Sequence, residues 1–407
     1  MCDPPPGHQR HESENRRGNV TGRGGREATR VLLFVDNFDC GGTESQLVEL
    51  ANALAADPGL EVHVGCHRRG PLIDKLHLPD GRIRDYSFHR FYSTGGVRQI
   101  TRLARDIIRR GFDIVHAQDF YANVTCTAAA GWQNSSKLIV SRRYEIRSNR
   151  RVHRWGEKWC YRLADAVVLN SRSIADQLIE RRVLRASKVF VIPNGVDIQR
   201  FAANSGPVGE CGRRPEQRSR IGVVARLHPV KGHVTFLHAV SRLVSRWPQL
   251  EAVLIGDGTL HGDLEELSRR LGISEHVTFL GHQDDVSRWL PSFDVAVLPS
   301  MHEGFPNALL EYLAAGRPVV ASRVGGIPDM VTSGREALLV SPGEPDKLAE
   351  AIDRVLSDGT LRAALARAGR ERAERYSLKR MVAEIRRLYA MVLTSPMRSG
   401  ALEAAID

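Results

Sequence analysis

From Arg30 onward, short runs rich in valine, leucine and isoleucine alternate with longer amphipathic stretches, and this alternation comes in two series. A strand that is apolar on both faces needs cover on both, and a helix between successive strands supplies it, so the rhythm implies parallel sheets with crossover helices. The first series predicts strands over residues 31–35, 61–66, 114–116, 137–141, 166–169 and 189–192. A polar, Gly- and Pro-containing stretch over 202–218 breaks the rhythm, which restarts at Arg220. The second series predicts strands over 221–225, 252–255, 277–280, 295–298, 318–321 and 337–340, with helices over 236–246, 260–271 and 309–315 between them. A long helical stretch over 346–376 and a segment over 378–393 close the chain. The fold class is therefore α/β, with two Rossmann-like domains over 28–201 and 220–377 and a linker over 202–219. Their parallel sheets face a central cleft, and open α/β folds bind ligands at the carboxyl ends of their strands.

A chain of 407 residues exceeds one ordinary core, which fits two domains. Residues 1–27 mix Pro, Gly, Arg and His with almost no large apolar side chains and are expected to form a disordered tail. That stretch lacks the apolar centre of a secretory signal, and no apolar run reaches membrane-spanning length, so the expected location is the cytoplasm. Cys2, Cys40, Cys66, Cys126, Cys160 and Cys211 form no CxxC pair and have no histidines at zinc spacing, so reduced thiols and no structural metal are expected.

Lysine and arginine number 58 against 47 acidic residues, a formal charge of +11 that favours anionic partners. The densest cluster is Arg142, Arg143, Arg147, Arg150, Arg151 and Arg154, whose spacings of three and four would align guanidinium groups along a helix. It reads as a solvated helix face, as a dock for the anionic inner face of a cell membrane, or as a hold for a phosphorylated acceptor. Nucleic acid is disfavoured, because no aromatic-interleaved basic module accompanies the charge.

Four places carry chemistry. The segment Met301-His-Glu-Gly-Phe-Pro-Asn-Ala-Leu-Leu-Glu311 follows a predicted strand and opens a helix. Gly304 lets the backbone pass close to a ligand, Pro306 suits a first helical turn, and the free amides there form an anion site. Glu303 would sit at its mouth, with Glu311 two turns on to accept hydrogen bonds from a diol such as ribose. In Gly222-Val-Val-Ala-Arg-Leu-His-Pro-Val-Lys-Gly232, a buried strand delivers Arg226 and Lys231 to its carboxyl end, where a fork and a point charge together suit a diphosphate. In Asp39-Cys-Gly-Gly-Thr-Glu44, Gly41 and Gly42 let backbone amides approach a phosphate or sugar. His116 ends a predicted strand; a lone histidine is usually structural, but that placement favours a hydrogen bond to a transferred sugar or its phosphate. Neither Gly41-Gly42 nor Gly256-Asp-Gly258 completes a dinucleotide fingerprint, which disfavours a nicotinamide cofactor.

Together with Pro193-Asn-Gly-Val-Asp197, these residues resemble the retaining glycosyltransferases of family 4, with the GT-B fold of two facing Rossmann-like domains, over nearly all of 30–393. The resemblance implies that Arg226 and Lys231 bind a donor diphosphate, that Glu311 takes the ribose hydroxyls and that Glu303 contacts the donor sugar. It implies Gly42 near the phosphate, amides of Phe305, Asn307 and Ala308 capping it, and Gly281-His282-Gln283 at the nucleobase. It also implies that the helix over 378–393 crosses back onto the first, acceptor-binding domain. The expected activity is metal- and cofactor-independent front-face transfer from a nucleotide sugar to a glycan, lipid-linked or phosphorylated acceptor in cell-surface or extracellular polysaccharide synthesis. A nucleotide-sugar epimerase and a non-catalytic binding protein are the alternatives. Ser141-Arg-Arg143 lies where the family varies with its acceptor, so the resemblance implies no particular acceptor.

Overall fold

The structure, a computed structural model, describes residues 27–39, 41–87, 93–131, 133, 135–143, 151–203 and 218–395. The expected tail before Glu27, residues 204–217 of the expected linker, Arg147, Arg150 and the thiols of Cys2, Cys40 and Cys211 lie outside them.

The first domain carries strands β1 (Thr29–Asn37), β2 (Leu60–Arg68), β3 (Ile83–Asp85), β4 (Ile114–Gln118), β5 (Lys137–Arg142), β6 (Ala166–Leu169) and β7 (Val189–Val191). Its helices are α1 (Gly42–Ala55), α2 (Thr94–Arg110), α3 (Phe120–Ala130), α4 (Arg151–Leu163), α5 (Arg172–Glu180) and α6 (Ile198–Ala203). The second domain carries β8 (Arg220–Val224), β9 (Glu251–Ile255), β10 (Val277–Phe279), β11 (Val295–Leu298), β12 (Val319–Ser322) and β13 (Leu338–Val340). Around them lie α7 (His233–Leu243), α8 (His261–Arg270), α9 (Asn307–Ala314), α10 (Ile327–Met330), α11 (Pro345–Ser357) and α12 (Gly359–Ala373), and α13 (Leu378–Thr394) follows.

Both sheets are parallel. Among the described residues the first has seven strands in the order β3-β2-β1-β4-β5-β6-β7 and the second six in the order β10-β9-β8-β11-β12-β13. The strand order reverses between β1 and β4 in one sheet and between β8 and β11 in the other, and a ligand crevice opens at the carboxyl ends of such a pair. The first sheet is packed on one face by α1 and α13 and on the other by α2 to α5, with Leu33, Phe34, Val115 and Val140 fully buried. In the second, Ile221, Leu254, Val297 and Val320 lie under α7 and α11 on one side, while Leu309 and Tyr312 of α9 cover the other. The α/β class and the facing sheets agree with the sequence expectation.

The last helix does cross back. Met381, Ile385, Leu388, Tyr389 and Val392 of α13 pack into the core of the first domain beside Leu33 and Leu47. The crossing is pinned where Val196 accepts from the Leu378 amide at 2.8 Å and donates to the Tyr376 carbonyl at 2.9 Å.

Three expectations need correction. The helical stretch over 346–376 is two helices, because the Asp358 carboxylate caps the Leu361 amide at 2.9 Å and restarts the chain at α12. The strand expected to end at His116 runs on to Gln118, whose partner across the sheet is Ser141. The arginine cluster does not line one helix: Arg142 ends β5 and Arg143 follows it, both buried, while Arg154 is exposed on α4. Arg142 is held by Glu157 of α4 at 3.2 Å. Cys66, Cys126 and Cys160 are free and buried, and burial pushes the Cys66 thiol up to about 12.

Candidate active site between the two sheets

The chain just after β1, β4, β8 and β11, together with Arg143, the residue after β5, meets around the cleft. Pro306 precedes α9 as its cap residue rather than opening its first turn, and no side chain caps the helix, so the first amides of α9 face the crevice without an internal partner. Glu311 sits one turn beyond Asn307 rather than two, and at a rise of about 1.5 Å per residue it stands roughly 6 Å further along the axis. A diphosphate at the helix start and a ribose beside Glu311 fit that separation.

Near the start of α9, Lys231 Nζ lies 2.7 Å from Glu303 Oε1, which also accepts from Ser300 Oγ at 2.7 Å. Glu303 is only 9% exposed, and the bond fixes its carboxylate towards Lys231. The loops carrying these residues touch because Gly232 adopts a left-handed φ of 70°, where any side chain would overlap the Pro299 carbonyl. Arg226 is exposed and reaches across the cleft: a side chain on Gly41 would come within 3.3 Å of its guanidinium. Its charge also acts on Glu44 of α1, whose carboxyl burial holds above the usual range.

Asn307 joins the two halves directly. Its amide nitrogen donates to the Gly42 carbonyl at 2.9 Å, and its side-chain oxygen accepts from Asn194 at 2.7 Å. Behind Asn194 stands Arg143, which donates to the Asn194 side-chain oxygen and to Gln118 Oε1, each at 2.6 Å. Phe305 is buried in the second core, edge-on to Tyr376, and Ala308 packs beside it. The Gly304 carbonyl accepts from the Gly326 amide at 3.0 Å.

At the other end of α9, Glu311 is half-buried; burial pushes its carboxyl up to about 7, with Arg200 opposing and Glu49 adding to the rise. Arg200 of α6 joins Asp285 at 2.8 Å and Glu49 at 3.5 Å, so it ties this end of the cleft to the first domain. Gly281 has a φ of 64° and accepts from the Gly256 amide at 2.8 Å, and it leads into exposed His282 at the cleft mouth. Lys75 reaches over from the first domain to Asp284 at 3.3 Å.

His116 does not face the cleft. Strand alternation turns it under α13, where Nδ1 meets the Tyr389 hydroxyl at 2.8 Å and Nε2 meets Ser141 Oγ at 2.7 Å. It is fully buried, and burial, helped by the Arg143 charge, pushes its pKa down to about 3. The residue after β4, at the carboxyl end of the sheet, is the nearly buried Asp119. Its φ is 70°, and its carboxyl is pushed up to about 7 by burial and by Asp36, with Arg143 and Thr43 opposing.

The sequence reading thus located Arg226, Lys231, Glu303, Asn307 and Glu311 around one crevice, had Arg143 in its basic cluster and Asn194 in the Pro193–Asp197 motif without this placement, and passed over Asp119 and Arg200. Asp119 and Arg143 each stand one residue beyond a strand's carboxyl end, the position that would have singled them out.

A family model described as Glycosyltransferase Family 4 matches residues 40–200, and one described as Glycosyl transferases group 1 matches 218–358. A D-inositol 3-phosphate glycosyltransferase of Salinispora tropica is 32% identical over 91% of this chain and 81% of its own. One of that name from Corynebacterium urealyticum is 31% identical over 57% of this chain, which spans only 58% of the relative's length. Among solved structures, Anabaena Alr3699/HepE in complex with UDP superposes with a TM-score of 0.76 at 22% identity, over 89% of this chain and all of that one. Two facing parallel-sheet domains with this cleft define the GT-B architecture. The chain belongs to glycosyltransferase family 4.

Proposed function

We propose that this chain transfers a sugar from a nucleoside diphosphate sugar to a hydroxyl acceptor, with retention at the anomeric carbon. The observation that carries the reading is the Lys231–Glu303 pair at 2.7 Å beside the uncapped start of α9, with Arg226 opposite. Arg226, Lys231 and the α9 amides receive the diphosphate, Glu303 orients hydroxyls of the sugar, and Glu311 accepts from the ribose. The acceptor oxygen bonds to the anomeric carbon on the face from which the diphosphate departs. The sugar–phosphate bond breaks, and a phosphate oxygen takes the acceptor proton. Charge on the leaving diphosphate is met by the two cations, so no divalent metal or other cofactor is required.

The UDP bound by the Anabaena neighbour makes UDP-sugars the first donors to try. We assign the acceptor to a glycan or lipid-linked chain of cell-surface or extracellular polysaccharide, built from the cytoplasmic side. The inositol phosphate relatives favour a second acceptor class, a phosphorylated polyol. The test incubates the chain with UDP-, GDP- and ADP-sugars in chelator, with D-inositol 3-phosphate or a lipid-linked glycan as acceptor, and follows the anomeric protons by NMR. A product of retained configuration with any of these donors supports the reading. An epimerised nucleotide sugar with no acceptor product, or nucleotide binding without turnover, overturns it in favour of an epimerase or a binding protein.

A further inference from the structure

We propose that the outward surface of α2, α3 and α4 is a docking face for an anionic lipid bilayer. These helices lie side by side on one face of the first sheet. Gly156 of α4 sits against the Phe120 ring of α3, and Phe120 packs edge-on to His153 at 4.7 Å. Of the eight large apolar side chains exposed among the described residues, Val97, Ile108, Tyr121, Val152 and Trp155 fall on these three helices. Trp155 is 70% exposed and Val152 66%.

The charges around them have one sign. Arg98, Arg105 and Arg109 on α2 and Arg154, Lys158 and Arg162 on α4 are exposed, and no carboxylate pairs with any of them among the described residues. The acidic side chains of these helices turn inward: Asp106 accepts from Tyr86 at 2.8 Å and pairs with Arg84, and Glu157 pairs with Arg142. Helix α3 has no acidic residue. A solvated helix face would carry both signs, whereas cations interleaved with tryptophan and valine match the headgroup layer of an anionic bilayer, where indole rings partition and each nearby cation strengthens binding about fivefold. A soluble polyanion would make use of the cations but not of Val97, Val152 or Trp155.

The face also has a direction. Val97, Tyr121, Val152 and Trp155 fall in the first two turns of helices that follow β3, β4 and β5, so they stand at the edge of the sheet bordering the cleft. A bilayer seated there meets the rim of the acceptor half. No helix among the described residues is long and apolar enough to cross a membrane, so this contact is peripheral. Its purpose, presenting a lipid-linked acceptor to the cleft, rests on the glycosyl-transfer reading; the contact itself does not.

The test is sedimentation of the full chain with phosphatidylcholine vesicles, with and without a quarter of phosphatidylglycerol. Wild type is expected to bind the mixed vesicles and to bind pure phosphatidylcholine weakly. The double variant Arg154→Glu, Lys158→Glu should lose at least about twentyfold in binding. Trp155→Ser should lose several-fold, and its deficit should persist at high salt, where charge attraction is screened. Equal binding by wild type and all variants overturns the proposal. So does loss only in the charge variant, matched by the same loss of heparin binding, which would identify a soluble polyanion as the partner. UDP titration of the same samples is expected to be unchanged by these substitutions. A wild type that binds vesicles but no nucleotide defeats the transferase reading and leaves the docking face standing.

Discussion

The side-chain amide of Asn307, at the head of α9 in the second domain, donates to the backbone carbonyl of Gly42, at the head of α1 in the first. The starts of two helices from opposite domains are thereby held 2.9 Å apart at the bond. Asn194 adds the second bond, to the oxygen of the same side chain. Asn307→Ala removes both links. At about 1 kcal/mol per net bond, kcat/KM should fall roughly five- to thirtyfold. The melting temperature should barely move, because neither domain core is touched. Steady-state kinetics alongside a thermal melt would check this, and unchanged kinetics would mean that the closed arrangement is not the working one.

Arg226→Ala and Lys231→Ala should each reduce transfer by about a hundredfold or more, because in the proposed mechanism each removes a charge that meets the departing diphosphate. Circular dichroism should stay close to wild type in both variants, and so should the melting of Arg226→Ala, since Arg226 is exposed. Product formation under saturating donor is the measurement. Lys231→Ala has a second consequence, since it leaves the nearly buried Glu303 with Ser300 alone.

Glu311 sets a pH dependence. Its carboxyl rises from the ordinary 4.5 to about 7 through burial, so the folded state binds a proton more readily than the unfolded one between those values. Stability therefore falls as pH rises through that window, and the full cost is present above about 7. Glu311→Gln abolishes the titration, so the variant should become progressively more stable than wild type as pH is raised. UDP binding should run the other way, tightening in wild type as the carboxylate forms and staying weak and flat in the variant. Calorimetric titrations and melts across the same pH series read both.

Gly232→Ala places a side chain at a φ of 70° and against the Pro299 carbonyl. Destabilisation of more than about 1 kcal/mol is expected, with activity lost in excess of the unfolded fraction because Lys231 moves away from Glu303. Denaturant unfolding together with specific activity of the folded protein separates the two effects.

His116→Ala should be a stability variant. It strands the Tyr389 and Ser141 hydroxyls and opens a cavity under α13, at a cost of roughly 2 kcal/mol or more. The kcat of the folded fraction should stay near wild type. With a folded pKa of about 3 against the usual 6.5, the unfolded chain takes up the proton first, so wild-type stability is lost as pH falls below about 6.5. The variant should lose less on that acid limb. A folded but inactive His116→Ala would return this residue to the chemistry.

Much of the architecture was legible because buried parallel strands are continuous apolar runs, as in Val295–Leu298 and Ala166–Leu169. Strand β3 was not, since Ile83-Arg84-Asp85 is a half-buried edge with no apolar run to mark it. In the cleft, Lys231 and Glu303 stood out as charges beside glycine after a predicted strand, Arg226 as a charge at a strand's carboxyl end, and Glu311 as the carboxylate that follows Glu303 along the predicted helix. Asp119 did not, since a carboxylate that ends up nearly buried looks in sequence like an ordinary surface charge, and Arg143 was read only as one member of a basic cluster. His116 was misread for a related reason: polar Gln118 disguised the last residue of β4, so the histidine seemed to sit at a tip that lies two residues further on.

The return of α13 to the first domain means that the backbone passes between the two halves twice, once after α6 and again at Tyr376–Leu378. A second covalent crossing keeps the halves from drifting apart even where the first is lost. A protease cut between Ala203 and Arg218 should therefore leave both fragments travelling together on a sizing column, held by the helix that one domain lends to the other.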